Sequence, residues 1–498
     1  MNLKKLRSTI YTCLGCISLL LLIPQKNIAQ TVFYGMTDNG GAYSGGAYGT
    51  IFKFDPATSI ETIEWSFGNG TDGLFGYGDI VYDANNQLFY IMALEGGTHG
   101  SGVIATFNPT TNAEAVVWNF GSGTDGAIPL GALTYDASKG LFYGFTQLGG
   151  TNSQGTIISF NPITNAEAVV WNFGTGTDGA QPRGSLIYNP VNHLYYGMTS
   201  VGGTNSQGTI ITFDPTTNTE AVVWNFGTGS DGTQPWGELA YDATNGLYFA
   251  MTSGGGSHGA GSIISFNTST NAEALVWSFG GPGDGSSPYG DLIYDTATHL
   301  FYGMTYAGGA NNKGTILSFN PGTNTETVIN SFNGTDGATP YGSFTYDKVK
   351  NMYYAMPTYG GTSNAGTIIS FNAATNKDSV LYNFLGTPDG FYPRDRVLIY
   401  SYSNEGIDEV NANSNSVSLY PNPSKGILNL SIRNYQAGIK NYVEVYNILG
   451  EKVYSNQLTM ENGQLAINLS NETSGVYLYR LTTETGSLLG EGKFVIQK

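Results

Sequence analysis

Seven aspartates recur in one setting, each followed by glycine: Asp72, Asp125, Asp178, Asp231, Asp284, Asp336 and Asp389. Seven carboxylates gathered into one ring could bind a cation. Calcium, however, takes about six to eight oxygens, and no loop here offers several acidic ligands within a dozen residues. An Asx-type turn explains the motif more simply, with Asp accepting nearby backbone N–H groups and Gly taking positive φ. No cofactor is therefore expected, and calcium is considered but not favoured. The histidines His99, His193, His258 and His299 lack a zinc spacing such as H-E-x-x-H, and neither a G-x-S-x-G elbow nor a phosphate loop occurs. Paired carboxylates are a glycosidase device, but sequence does not set their separation. No catalytic residue is assigned.

A second series varies where its neighbours repeat. "WNFGTGTDGAQPRGSLIYN" (171–189) returns as "WNFGTGSDGTQPWGELAYD" (224–242), with Arg183 replaced by Trp236. Along the chain this position is Tyr77, Leu130, Arg183, Trp236, Tyr289, Tyr341 and Arg394. Structural repetition fixes the frame, and a solvent-facing site is free to vary within it. Aromatics and Arg are also the side chains that supply most contact energy on a surface. The reading is a binding rim, with Tyr77, Arg183, Trp236, Tyr289, Tyr341 and Arg394 as ligand contacts. The competing reading is harmless exposed variation, or packing beneath a loop.

The elements that must position this series are repeats. Aromatic-pair strands begin at Val32, Leu88, Leu141, Leu194, Leu247, Leu300 and Met352, mostly 53 residues apart. Each unit holds four runs rich in β-branched and aromatic residues, such as "SLIYN", "LFYGFT", "GTIISFNP" and "EAVVWNF". Turn chemistry joins them ("NPVNH", "NPITNA", "GTGTDG", "QLGGTNSQG"). Four strands per unit with no helical period predict an all-β fold: a seven-bladed β-propeller of four-stranded blades, which leaves no long exposed edge. The first copy lacks a preceding "LIYD" strand and the last is followed by "RVLIYS" (396–401), so N- and C-terminal strands are expected to complete one blade together. An open solenoid would need distinct polar caps, and none is visible. The aromatic pairs and Trp65, Trp118, Trp171, Trp224 and Trp277 of the fourth strand are expected in the core.

The double Gly ending the second strand (96–97, 149–150, 202–203, 308–309 and 360–361), followed by the fourth-strand Trp, resembles kelch-type propeller blades. It is closer still to the GloVer tandem repeats of exported bacterial proteins, over roughly residues 31–402. Asn330 and Tyr382 depart from the pattern at the Trp position. The resemblance implies a propeller displayed by interchangeable anchors, with no settled activity. It also implies that "LIYD" is the inner strand. Short hairpins such as "DATNG" and "DPTTNT" then share one face, and the longer Gly-rich loops, with the varying position, share the other.

The 498 residues carry a formal charge of −17, unevenly spread. Residues 31–402 hold nine basic against 28 acidic residues, or −19, which argues against nucleic acid or an anionic membrane as partner. Lys4, Lys5 and Arg7, an apolar stretch over 10–23 and the small Ala29 read as a signal peptide spanning 1–29. Cys13 and Cys16 would leave with it, so no disulfide is expected, and nothing later is long enough to span a membrane.

Residues 403–416 read as a polar linker, and 417–498 as alternating strands and turns sufficient for a small Ig-like β-sandwich. There "YPNP", "VYNILGEKV", "GVYLYRL" and a basic last residue resemble a type A C-terminal sorting domain of type IX secretion. That resemblance implies the type IX machinery as a partner, passage across the outer membrane, and a secreted or cell-surface destination. The alternative for this segment is an adhesive sandwich. Together these features describe an exported propeller acting as a binding module for a glycan or a protein. A propeller-fold polysaccharide hydrolase or lyase, and a structural surface scaffold, are the alternatives.

Overall fold

The computed structural model of the protein describes residues 30–43, 48–228, 230–387, 389–402, 417–420, 424–432, 441–447, 451–457, 464–483 and 488–498. The expected signal peptide (1–29) and linker (403–416) lie outside the described residues. Every regular element is a strand, and no helix among the described residues is long and apolar enough to cross a membrane. Two compact units divide the chain: Thr31–Tyr402, and a second that takes in the described residues from Val417 onward.

One repeat illustrates the first unit. Ile187–Asn189, Leu194–Gly202, Thr209–Asp214 and Thr219–Asn225 pair antiparallel in sequence order. Tyr195 to Ser200 are buried without alternation, because the second strand is covered on both of its faces. The fourth strand alternates exposed and half-buried residues over Thr219–Ala221, as expected of an outer edge. A short segment, Gly179–Pro182, pairs with the far end of the second strand. The inner edge is thus split in two, with residues 183–186 bridging the gap. The four-strand reading did not contain this extra ladder.

Five further repeats follow the same order, and the remaining sheet draws on both ends of the unit. Gln30–Asn39 pairs with Thr50–Asp55 on one side, and with both Phe391–Pro393 and Leu398–Tyr402 on the other. This shared sheet is covered on both sides. Tyr34, Met36 and Ile51 pack with Ile80, Phe89 and Phe107, while Phe33, Phe52 and Phe54 pack with Tyr354, Ile368 and Phe384. The other large core clusters of this unit likewise span two successive sheets: Tyr143, Phe145, Ile157 and Phe173 meet Leu186, Tyr195, Ile211 and Phe213. A fully buried side chain of this size contributes about 1.5–3 kcal/mol, so each sheet depends on its neighbours for stability.

The fourth-strand Trp residues are only partly buried against these clusters, whereas Phe67, Phe120, Phe173, Phe226, Phe279, Phe332 and Phe384, two residues beyond each Trp position, are fully buried. A β-bulge causes the difference. Ile157 pairs with Trp171 but Ile158 pairs with Val169, so Val170 is extra and the inward alternation shifts.

In the second unit, Val417–Tyr420, Ile427–Ile432 and Gln464–Asn468 form one sheet, and Lys452–Gln457, Asn441–Asn447, Gly475–Thr483 and Leu488–Ile496 form another. One cluster holds residues of both, including Leu428, Leu430, Ile467, Val443, Val445 and Phe494. The C-terminal Lys498 Nζ donates to the Ser470 carbonyl at 2.6 Å.

Candidate binding site

The bridge between the split inner strands has a fixed construction. It begins with a left-handed residue that is never glycine: Phe75, Ile128, Gln181, Gln234, Ser287, Thr339 and Tyr392, with φ between 45 and 61°. Such a φ is strained, most of all for β-branched Ile128 and Thr339. Each N–H is repaid by a loop carbonyl, for example Gln181 to Gln154 O at 2.8 Å and Ile128 to Ser101 O at 2.8 Å. Pro follows in every repeat but the first, which has Gly76, and then the varying residue. The kink turns that residue out of the sheet.

After the varying residue comes a glycine whose missing Cβ matters. A Cβ on Gly131 would sit 2.3 Å from Gly184 O, and one on Gly184 would sit 2.5 Å from Gly237 O. The same close approach carries Gly78 to Gly131, Gly290 to Gly342, and Gly342 to the Arg394 carbonyl, while Gly237 meets the Asp291 carboxylate and then Gly290 O. Asp395 replaces the glycine in the last copy, and its carboxylate accepts the Gly78 N–H at 2.7 Å.

The varying side chains are thereby brought together. The Arg183 guanidinium lies 3.6 Å from the Trp236 ring centroid, Trp236 is 4.5 Å from Tyr289, and Tyr289 stacks on Tyr341 at 5.2 Å and 14°. Arg394 continues the belt, 4.6 Å from the Tyr341 centroid and 4.8 Å from that of Tyr77. It also donates to the Tyr77 hydroxyl and pairs with the Asp38 carboxylate. Leu130 and Arg183 line one cavity with Trp236, Tyr289 and Tyr341. All seven positions are half-buried, where the sequence reading expected solvent-facing residues. From Arg183 through Trp236, Tyr289, Tyr341 and Arg394 to Tyr77, each side chain packs on the next.

Beneath this belt Arg396 forms a collar. Its Nε reaches Asp79 at 2.6 Å, and one Nη reaches Glu238 at 2.9 Å and Asp291 at 3.3 Å. Burial raises Asp291, with the Glu238 charge adding to it. Burial likewise pushes Asp38 up to about 6, against the pull of Arg394. Below the collar a cavity of about 640 Å³ is walled by Val81, Thr134, Ile187, Thr345, Leu398 and Tyr188. Arg183, Arg394 and Arg396 are the only arginines of residues 31–402, and Trp236 is the one tryptophan outside the fourth strands. All four meet at this mouth.

Asp38, Ser200 and Tyr306 also belong to the mouth and were missed. Tyr306 is 5.2 Å from Tyr289 and 4.9 Å from Tyr341. Their signal was present: the residue after "GMT" or its equivalent runs Asp38, Leu94, Gln147, Ser200, Ser253, Tyr306 and Thr358, another variable position in a fixed frame. The repeated Asp-Gly aspartates lie elsewhere and make turn bonds, with Asp72, Asp125, Asp178 and Asp231 each accepting the N–H four residues before it at 2.9–3.0 Å. Among the described residues no group of three or more His, Cys, Asp or Glu is placed to hold a metal ion.

The family model of the Gloeobacter/Verrucomicrobia repeat matches residues 24–251 and 191–418. That of the secretion system C-terminal sorting domain matches 418–497. The type IX sorting domain exports the protein to the cell surface or beyond, and implies contact with the secretion machinery. No curated protein matches the chain. Among solved structures, a candidate 6-phosphogluconolactonase of Bacteroides uniformis is similar, with 14% identity and a TM-score of 0.50 over 75% of this chain and 99% of the other. Its counterpart in Bacteroides fragilis has 12% identity and a TM-score of 0.49, covering 76% and 99%. At these identities the likeness concerns the fold alone.

Proposed function

This chain belongs to the Gloeobacter/Verrucomicrobia repeat family, and from that premise we propose that residues 31–402 are a closed seven-bladed β-propeller serving as an exported binding module, joined by a linker to an Ig-like sorting sandwich. Support for closure comes from the sheet shared by both ends of the unit and from the bond between Asp395 and Gly78. The binding reading rests on one observation. In a unit with few charged residues, all three arginines and the one tryptophan outside the fourth strands gather at the mouth, Arg183, Arg394 and Trp236 in the stacked belt and Arg396 beneath it. Trp, Tyr and Arg are the residues that dominate recognition energies, and their concentration here serves no repeat-wide structural need.

The ligand is a glycan or a protein seated on the belt of Tyr77, Arg183, Trp236, Tyr289, Tyr341 and Arg394. The test is a screen of the full chain against immobilised polysaccharides, scored for both retention and cleavage. Saturable retention is expected, lost when Trp236→Ala and Tyr289→Ala are combined in a variant that still melts cooperatively. Product release would transfer the protein to the hydrolase or lyase reading. Retention unaffected by the double substitution would move the site away from the mouth.

A further inference from the structure

The three arginines of the mouth are not equivalent. Arg394 is neutralised by Asp38, and Arg396 is surrounded by Asp79, Glu238 and Asp291. Arg183 has no carboxylate within 4 Å among the described residues. Its one hydrogen bond there runs from Nε to Ser200 Oγ at 3.3 Å, and Ser200 Oγ is itself oriented by donating to Gln181 O at 2.8 Å. The guanidinium lies over the Trp236 ring, half-buried, and burial pulls its pKa down. A guanidinium carries five N–H donors in a rigid fork that matches a planar anion in bidentate fashion. Held flat by an indole and left without a counter-ion, Arg183 is organised for an acceptor from outside the chain.

We propose that Arg183 binds a single carboxylate, and that the ligand of the mouth is a saccharide bearing one: a uronic-acid chain end or a free sugar acid. This rests on the binding reading above. Charge selects the class. A dense polyanion would meet a unit of net −19 and a collar where one arginine faces three carboxylates, whereas one carboxylate on an otherwise neutral body needs only one free cation. The half-exposed rings of Trp236, Tyr289 and Tyr341 beside Arg183 suit the mixed polar and apolar faces of a sugar.

The experiment compares four probes by calorimetry on the full chain: a glucuronate-terminated oligosaccharide, the same oligosaccharide with its carboxylate reduced to the alcohol, free glucuronate, and a polysulfated glycan. The terminated oligosaccharide should bind at least about tenfold more tightly than its reduced form, the usual scale of a charge-assisted contact. Arg183→Gln should erase that difference between the acidic and reduced forms, and Arg183→Lys should restore part of it. Equal affinity of free glucuronate would assign the site to sugar acids; weaker binding would assign it to chain ends. Equal binding of the acidic and reduced oligosaccharides overturns the Arg183 proposal but leaves the binding module intact. Preference for the polysulfated glycan also overturns it. No binding by any probe, together with a negative polysaccharide screen, removes the module reading itself.

Discussion

The carboxylate of Asp395 accepts the backbone N–H of Gly78 at 2.7 Å, joining residues 317 positions apart. Six copies carry glycine where Asp395 stands, and at this junction a carboxylate accepts the N–H of the glycine itself. Gly78 is buried, and an orphaned buried N–H costs about 1–3 kcal/mol. Asp395→Ala should therefore destabilise the protein by about that amount in chemical denaturation. Asp395→Asn should not, because its amide oxygen can still accept. Burial and the neighbouring Asp79 both raise the carboxyl of Asp395, so removing the charge relieves repulsion. Equal stability of the Ala and Asn variants would deny the junction its role.

Stability should fall as pH rises. At the seams between successive sheets, burial pushes Glu114, Glu167 and Glu273 up to about 7 and Glu220 and Glu326 up to about 8, with the Asp-Gly aspartate of the preceding repeat adding to each shift. One oxygen of each of these carboxyls is buried with no hydrogen-bond partner, as suits a group that keeps its proton. Because the folded pKa exceeds the unfolded one, the native state binds more protons over the interval between them. The stability these groups supply is complete below about 4.5 and is lost as pH passes through 7 to 8. The melting temperature should be higher at pH 5.5 than at pH 8.5. Glu114→Gln with Glu220→Gln should raise it at the upper pH and change it little at the lower. A melting temperature that climbs with pH would contradict the seam account.

Phe173→Ala should cost about 3–5 kcal/mol, because the ring is fully buried between two sheets. Trp171→Ala should cost less, although its ring is larger, because it packs only from the flank. Denaturation of both single variants decides the order, and the reverse order would place the core around the indole.

That reversal of emphasis marks the limit of what was legible. Strand types, turns and the pairing of the two ends could be read because a repeat averages away local ambiguity: an assignment in one copy is checked by the others. The bulge at Val170 could not, since "AVVWNF" reads equally well as unbroken alternation. Nor could the left-handed kink, whose residues include Phe, Ile, Gln, Ser, Thr and Tyr, none of them a turn-former with positive φ. The varying position was visible as a series, but its half-burial was not, because stacking depends on the partner in the next repeat. Arg396 carried no repeat signal and emerged only from the geometry, whereas Asp38 stood in a second variable series whose meaning only its contact with Arg394 reveals.

Export makes the last prediction. The described residues from Val417 onward include one core cluster, from Leu428 to Ile496, with residues contributed by both sheets of that unit. Among the described residues, the core clusters of the first unit are built from that unit's own residues. A chain ending at Tyr402 should therefore melt like the intact first unit yet remain in the periplasm, because the sorting domain that engages the secretion machinery is gone. Cell fractionation and surface protease accessibility read this directly. Leu428→Asp is the sharper variant: it places an unpaired charge in the sorting core and should block delivery while sparing the repeats. Normal surface delivery of the truncated chain would remove the tail from the export route.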